Sequence, residues 1–294
     1  MPRLLMPQLP MPELPEVETV RRGLEARVVG CRVAHVEVGR ERTVRRTSRE
    51  ALIDGLTGTR IVAAQRRGKY LVCPLDSGEA LMVHLRMSGR LLVADPGTAR
   101  PPHTHVVAHL VPQGKRAVDR ELWFVDPRTF GEVVVFDPAN AAVEMPELAR
   151  LGVDPIADGL TRAQFASLLT GRDRQLKALL LDQHVIAGVG NIYCDESLHR
   201  AGLHWGRQAS SLTGREVTRL HTALLSVLEE AIAAGGSTLA DTQYVDIEGE
   251  GGWFQVHHRV YDRAGERCLT CGKADIVRAT VAGRGTHFCP RCQR

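Results

Sequence analysis

The sequence predicts an α+β chain in three parts: an antiparallel β-sandwich with a helix at its amino end, then a helical domain, then a short hairpin held by metal. Three observations carry this. From Cys31 to Asp137, short apolar or alternating runs (Val33 to Val38, Tyr70 to Pro74, Leu81 to Leu85, Val106 to Leu110, Leu122 to Val125, Val133 to Phe136) stand between Gly, Pro and Asp turns, with no helix of any length expected among them. That is the signature of short antiparallel strands. Past a proline-containing connector, Pro138 to Leu160, apolar residues recur at threes and fours: Leu176, Leu179 and Leu180, then Val217, Leu220, Leu224, Val227, Leu228 and Ile232, stopped by Gly235-Gly236. This period is helical. The last segment carries Cys268-x2-Cys271-x17-Cys289-x2-Cys292, two turn-borne thiolate pairs that together complete a closed, tetrahedral, structural zinc site. A segment this small cannot bury enough apolar surface to fold without such a staple.

At the amino end, Val17, Val20, Leu24 and Val28 form one helical stripe. Pro15 suits the first turn, and Glu16 and Glu18 suit the positive end. The division expected is a leader, 1–11, absent from the active protein; a β-sandwich, 12–140; a helical domain, 141–256; and the zinc ribbon, 257–294. The stretch Met11-Pro12-Glu13 is where chemistry concentrates. Freed of the residues before it, Pro12 would present an α-amino group of pKa near ~8, against ~10.4 for lysine, so about a tenth is nucleophilic at neutral pH. Such an amine attacks an aldehyde-level carbon to give an iminium, and Glu13 stands beside it to carry protons. With residues 1–11 attached, the Pro12 nitrogen is an amide and has no lone pair to offer.

Composition sets the outer limits. Of 294 residues 44% are hydrophobic and 24% charged, ordinary for globular domains. No apolar run approaches the ~20 residues of a membrane span, and the leader is short and proline-broken, so a cytoplasmic protein is expected. Net charge is +4, yet residues 263–294 hold seven Lys or Arg against Glu266 and Asp275, leaving the rest near neutral. A basic tail suggests a polyanion partner. Ala187-Gly188-Val189-Gly190-Asn191-Ile192-Tyr193 reads as a glycine turn opening a helix, a place suited to a phosphate.

Pro12-Glu13-Leu14-Pro15-Glu16-Val17-Glu18-Thr19 resembles the amino terminus of formamidopyrimidine-DNA glycosylases, and further motifs in that family's order continue to the end of the chain. The resemblance implies a bifunctional glycosylase and AP lyase. Pro12 is then the Schiff-base nucleophile, Glu13 its acid–base partner, Lys69 of Arg66-Arg67-Gly68-Lys69-Tyr70 a catalytic phosphate contact, and Arg284 of the zinc hairpin a grip on the phosphate beside the lesion. Lys177 and Asn191, flanking a helix-two-turn-helix, would clamp the DNA backbone, with His103 near it. Met87, Arg128 and Phe130 would fill the gap left by an extruded nucleotide. Without the resemblance, Lys69 reads as a solvated charge and Met87 and Phe130 as core. The partner implied is duplex DNA with oxidised bases, the cofactor one structural Zn2+ with no catalytic cofactor, and the acting species a monomer. Leu14, where the endonuclease VIII branch usually has glycine, favours oxidised purines over pyrimidines. The stretch Ser237 to His258 departs from the family's usual wording, notably at Asp241-Thr242-Gln243-Tyr244-Val245 and His257-His258. The alternatives are the pyrimidine-directed branch and a non-catalytic DNA-binding homologue.

Overall fold

The computed structural model describes residues 11–113, 118–239, 244–281 and 283–294. Helix α1 (Leu14–Arg27) opens it, with Glu13 at its N-cap and Pro15 in its first turn. Its stripe divides between two interiors. Val17, Val20 and Leu24 belong to the core of the β-sandwich, whereas Leu14, one turn earlier, is packed into the core of the helical domain.

The sandwich has two four-stranded antiparallel sheets. One runs β1 (Arg32–Val38), β6 (Thr104–Val111), β7 (Arg120–Val125), β5 (Arg90–Ala94), and the other β2 (Gln65–Arg67), β3 (Tyr70–Pro74), β4 (Ala80–His84), β8 (Glu132–Phe136). Strands β4 and β8 are buried at every residue. Their inner residues face the sandwich core. The outer residues Ala80, Met82, Val134 and Phe136 are covered from the connector by Met145, which stands between the short helices α3 (Ala141–Glu144) and α4 (Pro146–Ala149), and by Leu148 of α4. Burial on both faces explains why Val133 to Phe136 is a continuous apolar run.

Two expectations for this half need correction. A helix does interrupt it: α2 (Arg49–Leu56) is capped by Ser48, whose Oγ accepts from the Ala51 N–H at 3.1 Å. It buries only Leu52 and Leu56, one turn apart, too short a stripe to stand out as a period. The strands β2 and β5 were also unmarked; β2 is a polar edge strand of three residues, Gln65, Arg66 and Arg67.

The helical domain comprises α5 (Arg162–Leu169), α6 (Leu176–Leu180), α7 (Asn191–Ala201) and α8 (Gly214–Ala233). α8 ends just before Gly235-Gly236, as its spacing predicts. The tail is the hairpin β9 (Val277–Val281) and β10 (Arg284–Phe288). Buried charges lock the parts together. Arg66 donates from Nε to Glu18 at 3.0 Å and from Nη2 to Asp154 at 3.1 Å, joining α1, the sandwich and the connector. On α7, Glu196 accepts the backbone N–H groups of Arg259, Val260 and Tyr261 at 2.8–3.0 Å, holding the approach to the zinc ribbon.

Candidate active site and nucleic-acid face

The centre of the site is the Glu13 carboxylate, which is 3% exposed. Its oxygens accept the N–H groups of Ile192 at 2.9 Å and Tyr193 at 3.4 Å, the unsatisfied donors at the start of α7. The glycine turn expected to receive a phosphate therefore receives Glu13. Two glycines make this possible. A Cβ on Gly190 would lie 2.2 Å from Glu13 Cδ, and Gly188, at φ +91°, packs against Leu14, whose N–H donates to the Gly188 carbonyl at 3.0 Å. Gln183 fixes the turn from within, accepting from Gly188 N–H and donating to the Val189 carbonyl, both at 2.8 Å.

Burial raises the Glu13 carboxyl to about 7, against the opposing pull of Lys69 and the two backbone N–H groups. A carboxyl at that value both gives and takes protons at neutral pH. Behind it, Glu16 accepts from the N–H groups of Glu13 at 2.9 Å and Ser237 at 2.7 Å and from the Tyr193 hydroxyl. Sequence reasoning missed this role of Glu16; its position in the first turn signalled only a helix start.

Lys69 is 7% exposed and so is no solvated charge. Burial lowers its ammonium from the ordinary lysine value, Glu13 opposes that shift, and the nearby Arg284 guanidinium adds to it. Glu13, Lys69, Met87, Asn191, Tyr261 and Arg284 all line one cavity of about 450 Å³.

On the sandwich side one loop brings Arg86 and Met87 to the cavity, and a second loop is hydrogen-bonded to the first. Leu85 to Gly89 follows β4, and Asp126 to Gly131 precedes β8. Met87 and Phe130 are half-buried there, outside the hydrophobic cores, which removes the reading of them as core. Phe130 carries the Arg128 guanidinium 4.9 Å over its ring. The buried Asp126 binds the loops together: it accepts from the Ser88 hydroxyl, from Arg128 N–H at 3.1 Å and from Gly131 N–H at 2.7 Å. Three of the four non-glycine residues of positive φ among the described residues lie on this side: Arg86 (53°), His103 (68°) and Thr129 (54°). His103 is exposed beside the second loop, its carbonyl accepting from Asp126 N–H at 3.0 Å. Strained backbone of this kind persists where neighbours over-determine it.

On the helical side, Lys177 is the residue expected to clamp the DNA backbone. It is 1% exposed and donates to Asp195 at 2.6 Å and to the Gly285 carbonyl at 3.1 Å. Asn191 Nδ2 donates to the same carbonyl at 2.8 Å, leaving its buried Oδ1 without a partner. Both residues thus hold the turn of the zinc hairpin, and Arg284, exposed at the start of β10, is what that turn presents. Asp195 completes the joint by accepting the His287 N–H at 2.8 Å; nothing in its sequence setting announced this.

The four cysteine sulfurs all lie within 4.8 Å of one another. Cys268–Cys292 and Cys271–Cys289 are each 3.8 Å apart, too far for disulfides. Four sulfurs ~2.3 Å from one ion have tetrahedral edges of about 3.8 Å. The residues fit one structural zinc, and Cys268, Cys271, Cys289 and Cys292 hold it.

A buried carboxyl held near neutrality, sharing one cavity with Lys69 and the arginine of a zinc-stapled hairpin, belongs to a DNA-repair enzyme of the base-excision class, a glycosylase with lyase activity. Family models match in three consecutive blocks: the formamidopyrimidine-DNA glycosylase N-terminal domain at residues 11–133, the formamidopyrimidine-DNA glycosylase H2TH domain at 151–243, and the zinc finger found in FPG and IleRS at 265–294. The chain belongs to the formamidopyrimidine-DNA glycosylase family. Curated relatives of that name include the protein from Heliobacterium modesticaldum, 43% identical over 282 residues, with 95% of this chain and 98% of the relative covered. Another, from Geobacillus kaustophilus, is 44% identical over 280 residues, covering 95% of this chain and 98% of the relative. Among solved structures, MutM (Fpg) from Thermus thermophilus is 44% identical with a TM-score of 0.82, covering 96% of this chain and 98% of that one. The Lactococcus lactis Fpg bound to DNA containing an abasic site is 36% identical with a TM-score of 0.83, covering 96% and 99%. Among the described residues, no helix is long and apolar enough to cross a membrane.

Proposed function

We propose that this protein removes oxidised purines, 8-oxoguanine and formamidopyrimidine, from duplex DNA and cleaves the abasic strand through a Schiff base at Pro12. The single observation that carries the proposal is the placement of Glu13: a carboxyl at about 7, held by the start of α7, on the residue that follows Pro12. Support for the substrate comes from the relatives' name and from a Lactococcus lactis Fpg structure described as a complex with Fapy-dG DNA, 35% identical to this chain.

In the reaction proposed, the Pro12 nitrogen bonds to C1′ as the bond from C1′ to the base breaks. The base leaves with a proton, the nitrogen gives one up, and Glu13 carries these transfers. The nitrogen lone pair then opens the sugar ring, breaking the C1′–O4′ bond as O4′ takes a proton, and the iminium so formed acidifies C2′; loss of that proton expels the 3′ phosphate, and a second elimination expels the 5′ phosphate. Lys69 and Arg284 supply positive charge to the departing phosphates, Arg128 and His103 contact the backbone, and Met87, Arg128 and Phe130 occupy the space the nucleotide leaves. Lys177 and Asn191 act on DNA through the hairpin turn they hold. Zinc, when bound, fixes that hairpin and takes no part in the chemistry.

The active species begins at Pro12, and the first family match begins one residue earlier. Residues 12–140, 141–256 and 257–294 form the catalytic, DNA-binding and zinc units of a cytoplasmic monomer. Asp241 to Gln243, in the lesion-loop stretch, lie outside the described residues. The test is borohydride reduction of protein trimmed to Pro12 on duplexes containing 8-oxoguanine, thymine glycol or an abasic site. A covalent adduct and faster excision of 8-oxoguanine are expected. No adduct would leave a zinc-held DNA-binding protein, and preference for thymine glycol would place it with the pyrimidine-directed branch.

A further inference from the structure

Glu132 is the first residue of β8 and is 4% exposed. Its cross-strand partner is His84, the last residue of β4. Two loops therefore meet the sheet at this one pair, Leu85 to Gly89 leaving after His84 and Asp126 to Gly131 ending before Glu132. Around the Glu132 carboxylate stand three arginines. Arg86 Nη2 donates to it at 3.1 Å and Arg46 Nε at 3.4 Å, and Arg45 Nη1 lies 4.0 Å away. Arg46 also pairs with Glu147 at 3.0 Å.

Two of these arginines reach the strained residues beside the wedge. Arg86 itself has φ 53° and immediately precedes Met87, while Arg45 Nη2 donates at 2.7 Å to the carbonyl of Thr129, φ 54°, which immediately precedes Phe130. One buried carboxylate thus anchors a side chain from each loop's strained residue or its hydrogen-bond partner. Asp126 ties the same loops through Ser88, Arg128 and Gly131, so Glu132 provides a second, independent tie at their roots. Charge-assisted bonds to a buried carboxylate are the stronger kind, and removing the carboxylate would leave three guanidiniums crowded together.

We infer that Glu132, through Arg45 and Arg86, is a positioning residue that sets Met87 and Phe130 in register for base extrusion. This rests on the wedge role proposed above. The experiment uses the full chain and a duplex with 2-aminopurine beside 8-oxoguanine, following the stopped-flow fluorescence rise as the base leaves the stack; extrusion is read whether or not Pro12 is free. Glu132→Gln keeps size and removes charge. It is expected to slow the rise on the order of tenfold, as Phe130→Ala slows it, with equilibrium binding to undamaged duplex unchanged. If Phe130→Ala slows extrusion and Glu132→Gln matches the parent, the positioning role is overturned and the wedge stands. If both match the parent, the wedge itself fails and takes this inference with it. Should Glu132→Gln melt early, Arg45→Gln, at a half-exposed side chain, decides: slowed extrusion supports the link, and a parental rate overturns it.

Discussion

Replacing Gly190 with alanine isolates the placement of Glu13 without changing Glu13. The backbone there is extended, φ −128° and ψ −161°, so alanine meets no conformational penalty and by chain entropy alone would stabilise by about 0.4–1 kcal/mol. The new methyl, however, would lie 2.2 Å from Glu13 Cδ and 2.4 Å from Oε1, where carbon contacts settle near ~3.5 Å. The carboxylate must retreat by roughly 1 Å, loosening its bonds to Ile192 and Tyr193, each worth about 1.5–3 kcal/mol when the acceptor is charged. Misplacement of a catalytic group by that distance costs about 10²-fold in rate. The expectation is a fall of that order in single-turnover excision of 8-oxoguanine by protein trimmed to Pro12, with undamaged-duplex affinity near parental and a thermal midpoint lowered by a few degrees. Excision at the parental rate would refute the view that the start of α7 holds the catalytic carboxyl.

The same carboxyl gives a pH prediction. With its value raised from 4.5 to about 7 in the folded chain, Glu13 holds its proton more tightly folded than unfolded, so its contribution is present below pH 4.5 and lost as pH rises through about 7, a difference of ~3 kcal/mol. In the full chain, Glu13→Gln should therefore gain in melting temperature relative to parent between pH 5 and 8; a constant gap would show that burial does not set this value. For Lys177, methionine leaves Asp195 buried without its cation, costing about 3–5 kcal/mol of stability. The salt dependence of DNA binding should keep its slope, whereas a direct phosphate contact would reduce it by about one. A reduced slope with an unchanged melt would restore Lys177 to the DNA face.

Much of this was legible in the residue order. The α1 stripe, the cysteine spacing and the end of α8 at Gly235-Gly236 are local patterns, and local patterns survive folding. What escaped was long-range pairing of charge. Glu13 seeking the N–H groups of Ile192 and Tyr193, and Lys177 seeking Asp195, join residues whose separation in sequence carries no period. In both cases the likeness to a family singles out a residue while leaving open what it touches. The short helix α2 escaped for another reason: two buried leucines are too few to define a repeat.

The first turn of α1 has a wider consequence. Leu14 is rooted in one interior and Val17 in the other, and the pair proposed to react, Pro12 and Glu13, stands just ahead of them. Any rocking of the two halves about a bent duplex is transmitted to Pro12 as a lever arm only a few bonds long. Damage to either interior, however far from the nucleic acid, would then be felt as mis-aimed chemistry before the molecule lost its shape.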